Sequence, residues 1–132
     1  MKILFDTHFL VWTLLRLPQV DAFPWLDEYR PWGVSAVSLL ELAFLSEVGR
    51  LELDAPALQA ALGRDPRFQI DEIPTTSLFS KAIPLSWTRD PFDRLLAAHS
   101  LARGVPLCTL DRRIREHHAL QVPELVIRPL SG

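Results

Sequence analysis

Apolar residues fall in short blocks along this chain, and turn-forming residues separate the blocks. Lys2–Phe5 is a short apolar run that predicts a buried strand. Thr7–Leu15 follows as a helix ended by Pro18, and Asp21–Tyr29 predicts another helix before Pro31. Val34–Val37 predicts a short strand or extended turn. Ser38–Val48 is a strongly apolar helix closed by Gly49 just past its end. Pro56–Leu62 predicts a short helix stopped by Gly63. Phe68–Ile73 alternates as a strand does, and Ser77–Ile83 then reads as helical. Phe92–Arg103 predicts a longer helix ended by Gly104, and Val105–Thr109 the next strand. Arg112–His118 is helical, and Leu125–Ile127 is a last strand.

Strands alternating with helices imply βαβ units, hence an α/β fold with a mostly parallel central sheet flanked by helices. The 132 residues suit a single domain over residues 1–132, with no repeat, low-complexity tract or linker to divide it. The eleven prolines are spread out as punctuation. Hydrophobic residues at 48% and charged residues at 23% are those of an ordinary globular protein. The opening MKILF imitates a secretory signal, but Asp6 and His8 interrupt it and no small-residue cleavage site follows. No uncharged apolar run has the length of a membrane span, so no membrane partner is expected. The one cysteine, Cys108, excludes an internal disulfide and cysteine-based zinc motifs, and it suits the cytoplasm. A formal charge of −2 does not advertise nucleic acid. That weighs little for a carboxylate site, whose cations and local arginines supply attraction.

The acids sit where such a fold gathers its ligands. Asp6 directly follows the first strand, Asp111 follows the LCTL strand, and Asp93 lies in the first turn of a helix. Open α/β sheets bind ligands outside the carboxyl ends of their strands. Glu41 is the only charge in LLELAFL, and an ionised carboxylate on an apolar helix needs a cation, a donor or water. Crowded carboxylates raise one another's pKa values. Magnesium or manganese would relieve that repulsion, since hard cations take oxygen ligands. Each acid also has a structural reading. Asp6 and Asp111 suit helix caps, Glu41 suits a buried ion pair, and Asp93 suits a helix dipole, with Asp90 as the cap before it.

KILFDTHFLVW, SAVSLLELAFL, GRLEL, RDPFDRLLAAHSLARGVPLCTLD and the terminal strand together resemble the PIN-domain ribonucleases, and more closely the VapC-type toxins of toxin–antitoxin pairs. The resemblance spans nearly the whole chain. It implies a PIN-like fold and hydrolysis of RNA phosphodiesters with Mg2+ or Mn2+. The family's catalytic and metal-binding acids fall on Asp6, Glu41, Asp93 and Asp111. It further implies a small antitoxin as partner and a homodimer. The first helices, with Phe9, Trp12, Leu15 and Trp25, are the expected contact surface. Many relatives carry lysine where Leu45 stands here, a departure that bears on contacts rather than on metal.

Thr7, Ser38 and Thr109 lie beside the acids and could support them, although turn and cap roles compete. Arg94 and Arg112 are candidate holders of substrate phosphates, with Arg89 and Arg113 beside them. His8 and His99 suit packing or capping, and the adjacent pair His117–His118 points apart on a helix. The four tryptophans suit core or interface positions. Two other readings compete: a degenerate member that only binds RNA or protein, and a phosphoacceptor domain of the receiver type. Receivers need an acid pair after the first strand, where Asp6 stands alone.

Overall fold

The computed structural model describes residues 1–126. Among them four strands form one sheet: β1 (Leu4–Phe5), β2 (Trp32–Ser35), β3 (Phe68–Asp71) and β4 (Leu107–Cys108). The order is β3-β2-β1-β4, and every pairing is parallel. Parallel neighbours require crossovers, and helices provide them. These helices are α1 (Thr7–Leu14), α2 (Ala36–Glu47), α3 (Ala55–Arg64), α4 (Thr75–Ala82), α5 (Pro91–Arg103) and α6 (Arg112–His117).

Alternation along the strands divides the core in two. Ile3 and Phe5 on β1 and its approach point to one face, where Trp32, Val34, Phe68 and Cys108 join them. That face is covered by Phe9 of α1, Leu42 of α2 and Leu62 of α3. Leu4, between the two, points to the opposite face with Leu107, beneath Leu96 of α5 and Ile114 of α6. A side chain on Gly33 would stand 2.1 Å from Met1 Sδ and 2.6 Å from the Ile3 carbonyl. Only glycine lets β2 lie this close to the segment entering β1.

The elements depart from the sequence reading in five places. The helix expected over Asp21–Tyr29 is two 3-10 helices, Pro18–Ala22 and Pro24–Tyr29. Pro24 bars Phe23 from the helical region, and Phe23 takes φ −128°, ψ 64°. The second strand runs over Trp32–Ser35 rather than Val34–Val37, because the Ser35 hydroxyl accepts from the Val37 amide and starts α2 at Ala36. Gly63 does not stop α3, which continues to Arg64 on the buried anchors Leu58 and Leu62. The helix ends at Asp65 because Pro66 follows. Strand β4 is limited to Leu107–Cys108, shorter than Val105–Thr109. In place of a terminal strand Leu125–Ile127, Pro123–Leu125 forms a 3-10 turn, and Ile127 lies outside the described residues. Gly104 ends α5 as expected, at φ 65°.

Candidate active site

Three helices, α1, α5 and α6, have aspartate caps, and Asp6 and Asp111 sit just past the carboxyl ends of β1 and β4. Asp6 leaves β1 and caps α1, its Oδ1 accepting from the Phe9 amide at 2.8 Å. Its own amide donates to the Cys108 carbonyl at 3.0 Å, which holds it beside β4. Asp111, beyond β4, caps α6 by accepting from Ile114 at 3.0 Å. Asp90 caps α5 by accepting from Phe92 at 2.9 Å and Asp93 at 3.1 Å. The capping readings of Asp6, Asp90 and Asp111 are therefore realised. A cap occupies one carboxylate oxygen and leaves the other available, so capping and ligation are compatible.

Glu41, on α2, accepts from the Thr7 hydroxyl. Thr7 Oγ1 stands 3.2 Å from Ser38 Oγ, and both residues are buried. The Thr109 hydroxyl bonds to Asp6 and also accepts from the Asp111 amide at 3.0 Å. Thr7 and Thr109 thus orient three of the four acids, and Ser38 backs Thr7. Asp93 is half-buried, and no hydrogen bond reaches its carboxylate among the described residues.

The electrostatics follow from this. Burial lifts the Asp6 carboxyl above its ordinary range and the Asp111 charge adds to the lift, against the Phe9 amide, the Thr109 hydroxyl and His8. Burial lifts Glu41 as well; the Thr7 bond opposes this, while the charges of Asp90 and Asp6 reinforce it. Asp93 is pushed up to about 7, by burial first and then by Asp90, Asp111, Glu41 and Asp6. Each of these acids feels others of the set, so they share one electrostatic neighbourhood. No ion pair among the described residues reaches any of the four. Among the described residues Glu41 pairs with no arginine.

The arginines are placed otherwise. Arg94 donates to the Ala82 and Ile83 carbonyls at 2.8 and 2.6 Å, which makes it a clamp between α5 and the end of α4 rather than a free phosphate holder. Arg112 is 91% exposed and pairs with Glu116 at 2.9 Å. Arg113 reaches the Trp87 carbonyl at 3.5 Å. Burial pushes the Cys108 thiol far up, which leaves it inert. His118 is buried against Ser100 at 2.8 Å, and His117 stacks on Trp87.

The PIN domain family model matches residues 3–120. This chain belongs to the PIN-domain family. A relative in Mycobacterium tuberculosis, Ribonuclease VapC22, is 33% identical over 122 residues, covering 87% of this chain and 91% of that protein. In a crystal structure of VapBC2 from Rickettsia felis bound to a DNA fragment from its promoter, one chain superposes with a TM-score of 0.63 at 16% identity. The superposition covers 92% of this chain and 96% of that one. PAE2754 from Pyrobaculum aerophilum gives a TM-score of 0.57 at 19% identity, over 96% and 94% of the two chains. At these identities the superpositions speak for the PIN fold alone. The VapC resemblance read from the sequence agrees with the similarity to VapC22.

Carboxylate oxygens are the donors a hard divalent cation takes, and such an ion would favour their ionised form. Among the described residues no three acidic, histidine or cysteine side chains stand at chelating distance.

Of the four residues expected to form a contact surface on the first helices, Leu15 is exposed and the others are not. Phe9 is wholly buried, and Trp12 and Trp25 pack against the core. Among the exposed large apolar residues, Leu40, Phe44 and Val48 recur every four positions along α2, and Phe79 and Ile83 do so at α4 and its end. Leu40 is 66% exposed, so the α2 stripe is uncovered among the described residues. Sequence reasoning missed it because a helix apolar all round does not reveal which side is covered.

Proposed function

We propose that the chain is a metal-dependent endoribonuclease of the VapC kind, the toxin of a type II toxin–antitoxin pair. One observation carries the reading: Asp93, pushed up to about 7, feels the charges of Asp111, Glu41 and Asp6, and no cation among the described residues is paired to any of the four. Such an arrangement is unfavourable in isolation and becomes favourable when a divalent ion binds. Asp6, Asp93 and Asp111, with Glu41, would hold Mg2+ or Mn2+. When bound, such an ion offsets the charge of the phosphodiester and acidifies water for in-line attack. The carboxylates act as ligands and water positioners. Thr7 and Thr109 hold Glu41 and Asp6 in place, and exposed Arg112 is free to swing from Glu116 to an RNA phosphate. Products would carry 5′-phosphate and 3′-hydroxyl ends.

The partner would be a small antitoxin laid along the exposed apolar stripe Leu40, Phe44 and Val48 of α2. A homodimer is part of the same proposal. No helix among the described residues is long and apolar enough to cross a membrane. One observation favours a binding-only module, namely that no three metal-binding groups converge among the described residues. Incubating the protein with total RNA, with and without manganese, and mapping cut ends separates the two. Manganese-dependent cuts bearing 5′-phosphates support the nuclease. Bound but uncut RNA supports the module.

A further inference from the structure

A second chain of polar groups lies behind the acids. The buried His99 ring places Nδ1 2.8 Å from Ser35 Oγ and Nε2 2.8 Å from Asp71 Oδ2. Arg103 donates to the same Asp71 oxygen at 2.7 Å and to the Glu72 carbonyl at 2.7 Å. The Val37 amide donates to Ser35 Oγ at 3.1 Å. An ionised carboxylate only accepts, so in the neutral ring Nε2 carries the hydrogen. Nδ1 then accepts from the Ser35 hydroxyl, and each donor in the chain has its acceptor. A fully satisfied buried network fixes one geometry, where apolar contacts alone tolerate sliding.

These bonds join the two helices that carry Glu41 and Asp93. Ser35 ends β2 and caps α2, Asp71 ends β3, and His99 lies on α5. Contacts between α2 and α5 run in opposite chain directions. Ser35 meets His99 at one end, and the Phe44 ring packs on Phe92 at 5.3 Å toward the other. Glu41 stands six residues after Ser35, and Asp93 six residues before His99, about 9 Å of helix in each case. The helices are thus antiparallel neighbours, hydrogen-bonded in register at one end and joined by apolar rings near the acids. The Arg94 clamp ties α5 to α4 and does not set this register.

We infer that His99 is a positioning residue: its bonds to Ser35 and Asp71 set the register of α5 against α2, and with it the placement of Asp93 relative to Glu41. A slip of one residue along the helix would carry Asp93 about 1.5 Å. Misplacement of about 1 Å can cost on the order of a hundredfold in rate. The inference rests on the four-acid reading above for its effect on cleavage, but not for its effect on register.

His99→Ala and His99→Gln test it, because glutamine keeps a donor for Asp71 and has no second group for Ser35. Hydrogen exchange under native conditions reads the register without RNA or metal. Amides of Arg94, Leu95 and Leu96 should exchange about tenfold faster in His99→Ala, as expected for a lost buried bond, while those of β1 and α1 stay unchanged. Cleavage per folded molecule should show kcat reduced about tenfold or more at unchanged KM for RNA, with more manganese needed for half activity. His99→Gln should fall between, and it carries the test alone if the alanine variant does not fold. Exchange that rises throughout the molecule with kcat per folded molecule unchanged would overturn the inference, because that is the mark of general stabilisation. Unchanged exchange in α5 would overturn it as well. A wild-type protein that cleaves no RNA with manganese would remove the nuclease reading, and the exchange result would still decide the register.

Discussion

The two edges of the sheet treat the same chemical group in opposite ways. At the amino edge, Asp65 is gripped by Arg67 through both carboxylate oxygens, at 2.6 to 3.1 Å. The Arg67 bond holds its carboxyl below the usual range despite burial. Arg67 also donates to the Thr13 carbonyl at 3.2 Å and lies against the Trp32 and Phe68 rings. At the carboxyl edge, Asp6, Glu41 and Asp93 are lifted, and no arginine or lysine among the described residues pairs with them. Position at that edge is not itself the cause. Asp71 ends β3 there, and although burial would raise it, His99 and Arg103 bring it below the usual range. Asp65 and Asp71 are paired to cationic side chains, whereas Asp6, Glu41 and Asp93 have no such partner among the described residues.

Deleting a charge should therefore have opposite consequences at the two edges. The largest effect is expected at Asp93→Asn, which should lower RNA cleavage about a hundredfold or more with the fold intact or slightly more stable. Asparagine keeps the shape but supplies no anion, and the other three acids repel less. Asp90→Asn is the matched control, since asparagine caps a helix about as well as aspartate. Rates and melts at fixed manganese check both variants. Arg67→Ala should do the reverse, lowering stability by about 2–4 kcal/mol through an orphaned Asp65 and lost packing, with cleavage per folded molecule unchanged. Denaturant unfolding beside cleavage assays measures it.

The smallest expected effect is on the pH profile. Asp93 binds its proton more tightly when folded, with a pKa of about 7 against an ordinary 3.8. Its contribution to the metal-free protein is present at low pH and is lost as pH rises from about 4 to about 7. Asp65 has the opposite sign. Its lowered carboxyl contributes above the ordinary aspartate range, and that contribution is lost as pH falls through the folded value. Melts against pH should lose the first slope in Asp93→Asn and the second in Arg67→Ala. Unchanged slopes would break the contrast.

Much of this was legible in the sequence, for local reasons. The apolar runs at β1, α2 and α5, the caps Asp6, Asp90 and Asp111, and the glycines after α2 and α5 each act within a few residues. The acids could be placed because strand ends and first turns fix where such side chains start. What escaped depends on distant contacts. Gly63 stays helical because Leu58 and Leu62 are buried by other elements. Arg94 is spent on carbonyls a dozen residues back. His99 meets Ser35 and Asp71 across separations of 64 and 28 residues, which no spacing rule reveals.

Melting the protein across millimolar manganese above pH 7 reads out whether the four acids form a cation site. Wild type should rise in Tm as manganese increases, because the native state alone gathers these carboxylates, and Asp93→Asn should lose most of that rise. A wild-type Tm that does not change with manganese would contradict the account.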